Sequence, residues 1–114
     1  MNGRTATFFM CSEIVKLRYR RGAGAFAATT ANLEEIGQGG AMLLLEKPLP
    51  LGAEVEISCR NFTLRGTVTD WTADELGYTT WIDFALDSQW SPEWFQPRHL
   101  LNIPGFCAQF SNVA

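Results

Sequence analysis

The chain has 114 residues, 46% hydrophobic and 18% charged, which is a globular composition and one domain's worth of length. A net charge of -3 disfavours non-specific nucleic-acid binding, and no apolar run reaches the ~18 residues of a membrane-spanning helix. The apolar stretch Phe8-Phe9-Met10-Cys11 is too brief for a signal peptide, so the expected setting is the cytoplasm, with no nucleic-acid partner and no membrane insertion.

In chain order, Val15, Leu17 and Tyr19 alternate with Lys16, Arg18 and Arg20, predicting a strand over residues 8 to 20. Its three cations share one face at ~6.6 Å spacing, and Arg21 begins the turn Gly22-Ala23-Gly24. The first thirty residues carry five bases against one acid, whereas the remainder carries four against eleven. That asymmetry points to a local anion site on an acidic body, because guanidinium groups both fork onto phosphates and stack on bases. The plainer alternative is a solvated strand face.

A second strand is expected over residues 25 to 33 and a third over 40 to 46. Between them, Glu35-Ile36-Gly37-Gln38-Gly39-Gly40-Ala41 places three glycines and an acid where two β-runs break, which reads as a ligand-binding turn whose Gly37 and Gly40 are free to take positive φ. After Pro48-Leu49-Pro50-Leu51-Gly52, strands are expected over 53 to 60, 62 to 71 and 77 to 86. Six short strands with turns every ten or so residues predict an all-β, six-stranded antiparallel barrel.

Beyond the last strand, Ser91-Pro92-Glu93 supplies an N-cap, a proline at the first helical position and an acid in the first turn. A short C-terminal helical segment, a short helix or a 3₁₀ turn, is therefore expected over 91 to 96, stopped by Pro97, with a second turn over 98 to 102. The chain is read as a single domain, 1 to 114, with its core over about 8 to 103 and a tail over 104 to 114. Trp90, Trp94, Phe95, Phe106 and Phe110 form an aromatic surface expected to pack on the barrel or on another chain, with a homodimer or a protein partner as cover.

Catalytic constellations are absent from the pattern. His99 is the single histidine, without a Gly-x-Ser-x-Gly stretch or a cysteine at a helical start. Glu34 and Glu35 adjoin, and neighbours on a strand face opposite sides. Asp70, Asp74 and Glu75 lack metal-ligand spacing. Cys11, Cys59 and Cys107 are odd in number and widely spaced, which reads as free thiols rather than disulfides or zinc ligands. The expectation is a binder, not an enzyme, with no catalytic residue, cofactor or metal.

The Gly-rich turn, the segment Leu49-Pro50-Leu51-Gly52 feeding Val55 and Ile57, the Gly66-Thr67-Val68 step toward Trp71, and the closing run Gly77 to Phe84 together resemble the PilZ domain, a bacterial cyclic di-GMP receptor. The resemblance spans about Glu13 to Asn102. The second PilZ signature reads Asp/Asn-x-Ser-x-x-Gly; Glu35 takes its acid place, Gly37 its serine place and Gly40 its glycine place. The family's Arg-x-x-x-Arg motif precedes the first strand; here Phe8 stands four places after Arg4, and the nearest match, Lys16-Leu17-Arg18-Tyr19-Arg20, starts with lysine inside the strand.

The resemblance implies a PilZ-like barrel acting as a non-enzymatic signalling module, with cyclic di-GMP as regulatory ligand. Arg18, Arg20 and Arg21 would hold phosphate or guanine, and Glu35, Gly37 and Gly40 would form the turn. A hydroxyl missing at Gly37 removes a hydrogen bond of ~0.5 to 1.5 kcal/mol, so affinity is expected to be weakened. The alternative is a PilZ-like interaction module that no longer binds the nucleotide and works through its aromatic surface around Trp81 and the end of the chain.

Overall fold

Buried and exposed residues alternate along six strands, β1 (Phe8–Arg20), β2 (Ala27–Gly37), β3 (Gly40–Leu45), β4 (Glu54–Cys59), β5 (Phe62–Asp74) and β6 (Gly77–Phe84). The structure is a computed structural model and describes residues 8–101. All pairings are antiparallel, and the strands close into a barrel in the order β1-β2-β3-β6-β5-β4. No helix among the described residues is long and apolar enough to cross a membrane.

The inward faces of the strands meet in one core, with Leu17, Leu33, Ile36, Leu43 and Ile82 at or below 1% exposure. The crossing from β3 to β4 lowers Leu49 and Ala53 into one end of the barrel, and Trp90 is buried at the other. Cys11 and Cys59 are buried free thiols, as expected, and Cys107 lies outside the described residues.

The strand boundaries depart from expectation in two places. β2 runs on through Glu35, Ile36 and Gly37, so the predicted ligand-binding turn shrinks to Gln38 and Gly39, with Gly37 paired to Gly40. The cause is a bulge between Leu33 and Glu35, which absorbs one residue and lets Leu33 and Ile36, three apart, both point inward. β5 likewise passes a bulge between Val68 and Asp70 and continues to Asp74.

Of the helix or 3₁₀ turn expected over 91 to 96, the described residues show a single turn over residues 92–94 and no helix. Its start works as expected, since the Ser91 hydroxyl accepts from the Glu93 amide and the Ser91 carbonyl from the Trp94 amide. Propagation fails because the Phe95 carbonyl accepts from the Trp90 indole at 3.1 Å and the Gln96 carbonyl from Arg60 at 2.7 Å, and Pro97 has no amide to donate. Arg98 and His99 form the second turn, while Asn102 and the tail over 104 to 114 lie outside the described residues.

The barrel seam is asymmetric. β1 pairs with β4 only from Lys16 to Arg20. Along the other half of β1, residues 98–101 take the place of a strand, with the Ser12 amide donating to the Arg98 carbonyl and the Leu101 amide to the Met10 carbonyl.

Candidate functional site

The cation row lies on the outer face of β1 as the alternation requires, and the register sets acids of β4 beside it. Arg18 stands opposite Glu56 and Arg20 opposite Glu54, and both form ion pairs, at 3.0 and 2.9 Å. Both guanidinium groups also lie over the Phe26 ring, 4.2 and 4.6 Å from its centroid. Their planar faces and one edge of each fork are thereby engaged. Arg21, exposed in the β1–β2 connection, borders a shallow hollow with Pro48, Pro50, Leu51 and Trp71.

Glu35, Gly37 and Gly40 sit at the other end of the barrel. Glu35 is opposite Met10 on β1 and Arg18 is opposite Ala28 on β2, so the two groups are separated by seven residues along β2, roughly 23 Å at ~3.3 Å per residue. The structure thus brings together Arg18 with Arg20, and Glu35 with Gly37 and Gly40. It does not join the two sets into one pocket. Glu35 is half-buried, and burial first, then the neighbouring Glu34 charge, raises its carboxyl above the ordinary value.

Gly40 does not take positive φ; among the described residues the positive-φ glycines are Gly22, Gly52 and Gly77. Its reason is close approach, since a Cβ there would lie 2.5 Å from the Ile82 carbonyl oxygen. In register, Phe8, Gly37, Gly40 and Asp83 form one row across β1, β2, β3 and β6. Over the two residues without side chains, the Phe8 and Trp81 rings meet edge to face at 6.4 Å. The glycines of the motif therefore floor an aromatic contact.

Beside this hairpin opens a cleft of about 560 Å³, walled by Phe9, Trp90 and Trp94 with the amides of Gln38 and Gln89. Trp90 is fixed three ways: its amide donates to the Gln38 carbonyl at 2.9 Å, its indole to the Phe95 carbonyl, and Phe9 packs edge-on at 5.8 Å. Trp94, by contrast, is 58% exposed. Among the described residues this wall carries no charge, so it suits an apolar group with a few neutral hydrogen-bonding atoms.

The residue that sequence reasoning missed is Glu13. Its side chain is 8% exposed, and it accepts from Arg60 through both oxygens, from the Cys59 thiol at 3.0 Å and from the Arg98 amide at 2.6 Å. Burial pushes its carboxyl up, but the hydrogen bonds from Cys59, Arg98 and Arg60 outweigh it and hold the group below its ordinary value. Cys59 in turn is raised to about 11, by burial and then by its bond to Glu13, and stays a thiol. Arg60 adopts φ 56, a conformation unfavourable for a residue with a Cβ, and its forked bond to Glu13 holds it there. The cluster clamps residues 96–98 to the barrel. The signal was present: Glu13 is in phase with Cys11, Val15 and Leu17, a lone acid at a core position.

Set against known proteins, the chain matches no family model, no curated protein and no solved structure.

Proposed function

We propose that the protein is a PilZ-like, non-enzymatic signalling module of the cytoplasm that has given up the nucleotide and binds a protein partner through its aromatic end. The observation that carries this reading is the commitment of Arg18 and Arg20 to Glu56, Glu54 and Phe26, far along the barrel from Glu35, Gly37 and Gly40. One dinucleotide cannot touch both sets. The uncharged cleft at Phe9, Trp90 and Trp94 offers a partner an anchor pocket of ligand size instead.

The second reading, a cyclic di-GMP receptor of weakened affinity, keeps support from the acid-and-glycine pattern at Glu35, Gly37 and Gly40. Calorimetric titration with cyclic di-GMP at low salt separates the two. No heat is expected. Saturable heat that disappears when Arg18, Arg20 and Arg21 are replaced by alanine, and grows in Gly37→Ser, would establish the receptor and overturn the interaction module. For the partner, a photo-crosslinking residue at position 94 should capture one protein in cells, and the same residue at Leu86, 94% exposed on the neighbouring turn, should not.

A further inference from the structure

Two hairpins overhang the barrel at the end away from Trp90, and they are guarded differently. β3 pairs with β2 only from Asn32 onward, so Ala27 to Ala31 pair with β1 alone. Ala27, Ala28, Thr29 and Thr30 are all exposed, although alternate residues of a strand point to opposite faces. A strand open on both faces with a neighbour on one side is an edge, whose outward amides and carbonyls can pair with another chain. The second overhang, β5 beyond Val68, also has one strand neighbour, β6. It carries Asp70 and Asp74, the kind of charge that keeps an edge from pairing. From Gly22 to Leu33 the chain has neither a charge nor a proline.

We infer that the β2 edge, Ala27 to Ala31, pairs antiparallel with the same edge of a second copy about a twofold axis. Such pairing sets each residue against itself or its near neighbours, so any charge would face its own like. This is the stretch without one. Alanine and threonine leave no bulk on either face, and the nearest cations, Lys16 opposite Thr30 and Arg18 opposite Ala28, belong to β1, one strand back from the open edge, with Glu56 beside Arg18. The contact is isologous, so it closes at two copies rather than growing into a fibre. It is independent of the aromatic cleft and holds whether or not the cleft takes a partner.

The test is sedimentation equilibrium of the full chain up to about 1 mM, since a short edge contact belongs to the weak class of interface. A monomer–dimer equilibrium is expected, with amide exchange at residues 28 to 30 slowing as concentration rises. Thr29→Lys should raise the dissociation constant about fivefold through like charges across the axis, and so should Thr29→Glu. Mixing the two variants should restore association between unlike copies. Position 29 is exposed, and equal unfolding midpoints for the two variants and the parent show that the fold is intact. A monomer throughout the range, a dimer indifferent to both substitutions, or a mixture no tighter than its components would overturn the inference.

Discussion

Two carboxylates at one end of the barrel respond to acid in opposite directions. Glu13 has a folded-state pKa below its ordinary 4.5, so its contribution is complete above that value and is lost as pH falls through the depressed one. Glu35 has a raised pKa; ionised, it opposes folding at neutral pH, and that opposition is relieved as pH falls through its folded value toward 4.5. Urea unfolding across pH should therefore show stability rising gently on the acid side of neutrality and then falling below about pH 4.5. Glu35→Gln should flatten the rise, and Glu13→Gln should remove part of the fall while lowering neutral stability by ~1 kcal/mol, since glutamine keeps only one acceptor oxygen for Arg60, Cys59 and the Arg98 amide and turns a donor toward them. Persistence of both features in both variants would refute the assignment. Gly40 supplies a further prediction: Gly40→Ala drives a methyl against the Ile82 carbonyl oxygen and should destabilise by ~1 to 3 kcal/mol, whereas an unchanged midpoint would show that the strands can part there.

Residues 85–101 have no regular secondary structure among the described residues, yet they close one barrel end through Trp90. Trp90→Ala should cost ~3 to 5 kcal/mol and speed exchange of the Ser12 and Leu101 amides, whose acceptors lie across the β1 seam; slow exchange with an unchanged midpoint would deny that Trp90 anchors the segment. This element also marks what the sequence could reveal. Period-two alternation in Val15 to Arg20, Glu54 to Cys59 and Tyr78 to Phe84 identified β1, β4 and β6, because each has one face in the core, and the spacing of turn residues marked out the other three. The reading ended β2 early because a bulge breaks the period at Leu33, and the inward Ile36 then looked like part of a loop. At Ser91 only the turn of the expected helix or 3₁₀ turn formed, for a different reason: its capping signal was right, but tertiary donors on Trp90 and Arg60 took the carbonyls that a longer helix would have used.

At the scale of the whole molecule, register decides what the charges do, and register is invisible in composition. The basic first hairpin looked like an anion site until closure of β1 on β4 set Glu56 and Glu54 beside Arg18 and Arg20. The same closure sends the candidate residues to opposite ends, so the motif residues were legible one by one and their distance was not. The barrel thus has one end whose cations are balanced by their own acids, and at the other an aromatic cleft whose described lining is uncharged. It follows that the row adds to the closed seam without building it. Each pair joins one exposed and one partly covered side chain, Arg18 and Glu54 being 53% and 59% accessible against 27% for Glu56 and 35% for Arg20, and such surface pairs contribute ~0 to 1 kcal/mol. The double variant Arg18→Ala, Arg20→Ala should therefore lose only ~1 to 2 kcal/mol, counting the contacts on Phe26. Most of the ion-pair share should vanish at about 1 M salt, where screening acts over ~3 Å, leaving the ring contacts. The check is guanidine-free urea unfolding of parent and variant at low and high salt. A loss beyond about 4 kcal/mol, or a difference untouched by salt, would mean that these cations hold the seam itself rather than decorate a barrel already closed by Leu17, Val55 and Ile57.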